Sequence, residues 1–502
     1  MTATMTTRRP TRNAASKVRD GSRPPWASWR GSNAGRRIRF IETYLVVPRG
    51  TNAGKLVKLR PFQTEYIEEV YAEGILSGGL SIPRGNSKTA TLGMLSLAEL
   101  HLNAWSPDIG VAAITMQQSA RPSGVYGLAV RMSKLAPELD GRSIYYSGVG
   151  DPRIRVDYND GLLAPIASRD ADSLLGLSSS LLIADEFGAD HWDATRWGAL
   201  VQSAGKRGGD SRVLGISTPN SKRSAMYSMR ERVLAGNAAA STIFVEYAAD
   251  ADADITDRSQ WFKANPALGH FLDISALESD VLDQPAWLFK MMRLGLWQDA
   301  TEDGWLGIDG PTHWDATTAS VQLSETEPTF IGVDKSMRDD CSAVAMLQRV
   351  GDRWQCTVRI FHPAPVIDHA AVRGYIRECA AQYNVVAVGF DPRFAVESMQ
   401  ELEVEGLPVV EVPQSVARMV PAYSALHRDI IGRQIDHDDD PTLRSHVLSA
   451  VPQVSNTGGF MLAKNRSRQK IDGVVALAIA RSLTLHDDPI EEPLDLTEAQ
   501  VW

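Results

Sequence analysis

The sequence predicts an α/β protein of two successive domains, and three observations carry that reading. The loop Ser81-Ile82-Pro83-Arg84-Gly85-Asn86-Ser87-Lys88-Thr89 follows a Gly-rich segment and runs directly into the apolar helical pattern of residues 92–102. Downstream, charge-free strands at residues 109–115, 181–184 and 213–218 alternate with helical spacing, the pattern of a parallel sheet covered on both faces. Past an acidic, Gly-containing stretch near residues 300–328, an apolar strand ending in Asp recurs at Asp334 and Asp391.

At 502 residues the chain exceeds one ordinary core. Its composition divides it into a basic tail over 1–37, expected to be disordered, a first α/β domain over 38–300 and a linker over 301–327. A second α/β domain over 328–486 and an acidic C-terminal tail over 487–502 complete it. The net charge of −9 conceals an asymmetry, because residues 1–40 hold ten Arg and Lys against Asp20 alone. Such a tail is either a solvated leader or a sequence-blind contact for DNA phosphates. No apolar run reaches the 18 or more residues of a membrane span, and no secretory leader is expected. Cys341, Cys356 and Cys379 form neither a disulfide framework nor a Cys-x-x-Cys metal pair, which fits a reducing cytoplasm.

The loop at 81–89 suits a nucleoside triphosphate. Such a ligand needs inward backbone N–H groups, a helix N-terminus, a Lys for the β/γ oxygens and a hydroxyl for Mg²⁺. Gly85, Asn86, Lys88 and Thr89 are the candidates, although Ile82 and Ser87 stand where the strict pattern has Gly. Phe62 and Gln63, just upstream, read as adenine contacts or as packing plus a surface amide.

The apolar strand Leu181-Leu182-Ile183-Ala184 ends in Asp185-Glu186, at the sheet edge where open α/β folds bind ligands. Asp185 is expected to hold the Mg²⁺ water shell and Glu186 to act as general base. Ser217 and Thr218 close the next strand, either beside the γ-phosphate or as an ordinary turn. Arg84, within the loop, is a candidate γ-phosphate sensor, and Arg169 is the candidate arginine finger acting across a subunit interface.

In the second half, strands over 329–334, 342–347 and 353–362 precede a helix over 368–383 and a strand over 385–391, the order of an RNase H fold. Asp334 and Asp391 end strands and Asp472 opens the apolar helix beginning Gly473-Val474-Val475-Ala476. Three clustered carboxylates repel unless cations lie between them, so the set predicts two Mg²⁺ or Mn²⁺ ions and in-line attack on a phosphodiester. Asp340 is a candidate outer ligand, with Asp339 and Asp436 in reserve.

Together Phe62-Gln63, the variant loop Pro83 to Thr89, Asp185-Glu186, Ser217-Thr218-Pro219 and the three aspartates resemble the large terminase subunits of tailed bacteriophages across residues 40–485. The resemblance implies a P-loop ATPase domain of RecA/ASCE type that packages double-stranded DNA, followed by an RNase H-like endonuclease. It also implies a homo-oligomeric ring, commonly of five subunits, docked on a portal protein at the procapsid in the host cytoplasm and absent from the mature virion. A small terminase subunit is the expected DNA-presenting partner, and no membrane is. A helicase-like translocase is disfavoured by the aspartate triplet, and a transposase or integrase type recombinase by Lys88 with Asp185-Glu186. A non-enzymatic assembly protein with relic sites would show neither ATP nor metal dependence.

Overall fold

The computed structural model describes residues 23–50, 52–148, 150–169, 174–175, 177–298, 304–335, 341–363, 367–455, 458–465, 467 and 469–485. The chain divides into two compact units. One holds the residues through Asp250 together with Trp261–Leu272, and the other holds Ala251–Gln260 and the residues from Asp273 onward.

The first unit is built on an eight-stranded sheet of β1 (Ser77–Ser81), β2 (Asp108–Ala113), β3 (Ser143–Tyr146), β4 (Arg153–Val156), β5 (Gly161–Ala167), β6 (Leu181–Asp185), β7 (Arg212–Ser217) and β8 (Thr242–Glu246), in the order β3-β4-β5-β2-β6-β7-β1-β8. β1, β2 and β5 to β8 pair in parallel, while β3 and β4 add an antiparallel edge. β1 reads Ser-Gly-Gly-Leu-Ser, too Gly-rich to announce a strand, yet it is buried along its whole length. A Cβ at Gly79 would lie 2.5 Å from the Phe244 ring, so glycine is what admits the neighbouring strand's side chain.

Three helices of this unit pack on one another: α1 (Asn33–Tyr44) touches both α2 (Pro61–Val70) and α3 (Lys88–Leu102), whose N-terminus follows the loop. α1 starts where Ser32 accepts a hydrogen bond from the Gly35 N–H, and it buries Phe40 and Ile41 completely. Each such side chain contributes about 1.5–3 kcal/mol. The basic tail expected over 1–37 is therefore shorter. Trp26 is buried and donates its indole N–H to the His101 carbonyl at 2.8 Å, while Arg37 is buried against Glu99. Residues 1–22 lie outside the described residues.

The second unit carries a six-stranded sheet of β9 (Thr329–Asp334), β10 (Ser342–Val350), β11 (Arg353–Phe361), β12 (Val385–Phe390), β13 (Val409–Glu411) and β14 (Ile435–His437), in the order β13-β12-β9-β10-β11-β14. β9, β10 and β11 run antiparallel, and β12 returns parallel to β9 after the helix His369–Gln382. This is the RNase H order. Helix α4 (Pro392–Val404) follows β12, the short hairpin β15 (Pro452–Val454) and β16 (Phe460–Leu462) comes later, and α5 (Asp472–Leu483) closes the unit. α5 is apolar on all sides because it is buried from Gly473 to Ala480, and a Cβ at Gly332 of β9 would lie 2.1 Å from its Ala476 carbonyl. That close approach fixes Asp472 beside the end of β9.

The stretch 301–327 is not a free linker. Trp305, Leu306 and Trp314 belong to the second unit's core, and Trp305 donates to the Val447 carbonyl at 2.8 Å. Leu288, Met291 and Met292, expected in the first domain, pack in the same core. The acidic, Gly-containing composition of this stretch masks its few anchors. The acidic tail over 487–502 lies outside the described residues. Among the described residues no helix is long and apolar enough to cross a membrane.

Candidate functional site

The first unit gathers its predicted residues where β1, β6 and β7 end side by side, with Ser81 opposite Ser217 and Asp185 opposite Ile216. The loop leaves β1 through Gly85 at φ 95° and Ser87 at φ 61°, so Ser87 itself takes the left-handed conformation that glycine would adopt freely. Lys88 donates to the Ile82 and Pro83 carbonyls at 3.1 Å each and to the Thr218 hydroxyl at 2.6 Å. Its ammonium thus spans from the loop to the end of β7. Thr89 is half-buried in the first turn of α3.

Asp185 accepts from the Glu186 N–H at 3.0 Å, and its carbonyl accepts from the Trp192 indole at 2.9 Å. Burial pushes the Asp185 carboxyl up to about 7, and Glu186 adds to the rise against the pull of the Glu186 N–H and Lys88. Burial also raises Glu186, with Lys88 and Arg84 opposing it. Glu186 stands at φ 52°, a strained conformation for a non-glycine residue. A Cβ at Gly188 would lie 2.8 Å from the Thr218 carbonyl, so the acidic turn and the end of β7 pack directly together. Two half-buried acids beside a Lys and a helix N-terminus suit a divalent cation bound to phosphates.

The other predicted residues of this site make contacts within the fold. The Gln63 amide is spent within the fold, accepting from the Arg60 N–H and donating to Thr91 Oγ1, both at 3.0 Å, and Phe62 packs edge-on to Tyr247. In this fold the pair packs and its amide is hydrogen-bonded within the unit. Asn86 donates to the Pro83 carbonyl at 3.1 Å and to Asn265 Oδ1 at 2.9 Å, and it accepts from the Ala267 N–H at 3.0 Å. Its side chain braces the loop. The Ser217 hydroxyl donates to the Thr218 carbonyl at 2.7 Å and so caps its own turn. Arg169 is exposed, and its carbonyl accepts from the Arg196 guanidinium.

In the second unit, Asp334 ends β9 and is 2% exposed, and Asp472 begins α5 at 0%. Lys464 joins them, with Nζ 2.6 Å from Asp334 Oδ2 and 2.7 Å from Asp472 Oδ1. Gln414 donates to Asp334 Oδ1 at 3.3 Å, whereas the other oxygen of Asp472 is buried and has no hydrogen-bond partner among the described residues. Burial pushes Asp334 up to about 7, Lys464 pulls it down, and Asp472 pushes it further up.

Asp391 follows Phe390, which pairs with Val333, so it stands on the strand beside Asp334. Its carboxylate caps α4 by accepting from the Arg393 N–H at 3.1 Å. All three aspartates reach one sheet edge, but among the described residues no three His, Cys, Asp or Glu side chains form a single metal cage. Asp436 is held by Arg353 through a two-pronged pair and is no reserve ligand, while Asp339 and Asp340 lie outside the described residues. An acidic donor set, an orphaned buried carboxylate oxygen and an ammonium standing between two carboxylates all fit a divalent cation.

A family model described as the terminase large subunit, endonuclease domain, matches residues 238–355 and 355–486. The large terminase subunit of Enterobacteria phage HK97 is 25% identical over 483 residues, which span 89% of this chain and 94% of that relative. The chain belongs to the large terminase subunits of tailed bacteriophages. A solved large terminase from a thermophilic bacteriophage shares the fold, with a TM-score of 0.53 at 11% identity over 85% of this chain and 98% of that one. A structure of that thermophilic phage's terminase in complex with ATP-γ-S matches with a TM-score of 0.50 at 10% identity over 81% and 92%.

Within this large terminase the sequence left Lys464, Gln414 and Asn265 unmarked. None carries a motif, and each reaches its partner across the fold, Asn265 at a separation of 179 residues from Asn86. The only hint was a Lys eight residues before the Asp that opens α5.

Proposed function

We propose that this terminase is an ATP-driven motor that moves double-stranded viral DNA into a procapsid and a metal-dependent endonuclease that cuts the concatemer. The supporting observation is that Lys88, Thr218, Asp185 and Glu186 meet at one strand edge of the first unit's sheet, while Asp334 and Asp472 meet at one strand edge of the second's. ATP with Mg²⁺ is the nucleotide cofactor. Lys88 would exchange its loop carbonyls for β/γ-phosphate oxygens, Thr89 and Asp185 would hold the Mg²⁺, and Glu186 would take the proton of the attacking water. Thr218, which shares Lys88, senses that exchange at the end of β7. Arg84 faces Glu186 electrostatically from the loop and is a better partner for the γ-phosphate than the exposed Arg169.

In the nuclease, Asp334, Asp472 and Asp391 would hold the divalent ions. Bound Mg²⁺ or Mn²⁺ supplies charge neutralisation and water activation for in-line attack on the phosphodiester. The partners in this reading are duplex DNA, a portal protein and a small terminase subunit, with copies of this chain forming a ring in the host cytoplasm. The test is reconstitution with procapsids and linear DNA, scoring DNA protected from added nuclease. Wild type with ATP protects DNA and Lys88→Ala does not. Equal protection by both would overturn the motor reading.

A further inference from the structure

Lys464 places a cation between the two carboxylates that the nuclease reading assigns to metal, at 2.6 Å from Asp334 and 2.7 Å from Asp472. Asp334 and Asp472 are buried to 2% and 0% exposure, and two such carboxylates cannot both remain ionised side by side without a counter-charge. Their positions are fixed by a strand end and a helix start, and Gly332 holds the two elements in backbone contact. Lys464 is held differently. It lies in the turn two residues after β16, on a four-carbon stem, and its side chain is still 39% exposed. The acids are rigid and sealed, and the ammonium is on a long stem and open to water.

Asp334 and Asp472 would hold a divalent ion through the same carboxylates that now bind the ammonium. Two cations that close would repel strongly at such burial. We propose that Lys464 is the resident counter-ion of the nuclease site, and that metal binds by exchange, the ammonium leaving to solvent as the divalent ion enters. The inference rests on the nuclease reading and adds a determinant of metal affinity to it. Lys464 stabilises the metal-free fold by neutralising its acids and weakens metal binding by the two charge-assisted bonds that must first break. It is a positioning residue, and no bond of the substrate is made or broken by it.

The test uses the full chain without nucleotide or DNA, titrated with Mn²⁺ in a calorimeter and melted in parallel without metal. Asp334→Asn defines which part of the Mn²⁺ signal belongs to this site. Lys464→Gln should lower the metal-free melting temperature and tighten Mn²⁺ binding about tenfold or more, since hydrogen bonds to charged groups are what exchange must break. Lys464→Arg, which keeps a cation, should bind Mn²⁺ within a few-fold of wild type. Should Lys464→Gln not fold, the rate of Lys464 acetylation in wild type should rise when Mn²⁺ is added. Wild-type or weaker Mn²⁺ affinity in Lys464→Gln, or acetylation unaffected by Mn²⁺, overturns the exchange. If instead Asp334→Asn leaves all Mn²⁺ binding intact, the nuclease-site assignment fails with it.

Discussion

Ser87 shows how one residue adapts a loop whose pattern is incomplete. It stands where a glycine is usual and takes φ 61° itself, at a cost of about 1–2 kcal/mol for a residue with a Cβ. The loop is held in shape from outside, by Asn86 reaching Asn265 and Ala267. Asn265→Ala should therefore raise the KM for ATP more than it lowers kcat, which steady-state kinetics would show. A fall in kcat alone would mean that Asn265 does not brace the nucleotide loop. Glu186→Gln keeps the shape of the general base but not its basicity, so hydrolysis should fall about 10²–10⁴-fold while ATP binding survives in an equilibrium assay. That Lys88 and Asp185-Glu186 meet at one strand edge was legible, because residue type and spacing alone single them out. The fold contacts of Asn86 and Gln63 were not legible, because their partners lie far off in sequence and a buried amide reads no differently there from a free one.

Strands without charge were legible as elements, and β2, β6, β7, β9 and β12 stand close to where their apolar runs put them. β1 was not, because its glycines serve the neighbouring strand rather than its own pattern. The region before residue 38 hid folded structure for a related reason, its two anchors Trp26 and Arg37 being diluted by polar residues. His101 reports on this packing. It is buried beneath Trp26, Phe40 and Tyr158, with Nδ1 3.0 Å from the Tyr158 hydroxyl, and burial lowers its pKa to about 3. The unfolded chain therefore binds a proton below about 6.5 that the folded one refuses, so stability is complete above that pH and falls as pH drops from 6.5 toward 3. One such group contributes at most about 1.4 kcal/mol per pH unit. Denaturant melts of wild type and His101→Phe between pH 7 and 5 should show a shallower loss in the variant. Parallel losses would mean that His101 does not drive the acid sensitivity.

At the scale of the molecule, two α/β units were legible from two runs of strand-end acids, but the boundary between them was not. Trp305 and Trp314 commit the supposed linker to the second core, and an acidic, Gly-containing composition cannot reveal anchors so sparse. The basic leader must be cut accordingly. Removing residues 1–22 should, if those residues meet DNA, reduce the slope of log affinity against log salt by about 0.9 for every phosphate they neutralise. Removing residues 1–37 should instead destabilise the first unit, since Trp26, Ala34 and Arg37 go with it.

The claim that two separate chemistries occupy two separate units is tested most directly by measuring ATP hydrolysis and Mn²⁺-dependent plasmid cleavage side by side in wild type, Lys88→Ala and Asp334→Asn. Lys88→Ala should lose hydrolysis and keep cleavage, and Asp334→Asn should lose cleavage and keep hydrolysis, each variant folding as wild type by circular dichroism. Hydrolysis at the wild-type rate in Lys88→Ala, or cleavage at the wild-type rate in Asp334→Asn, would contradict the assignment of that site.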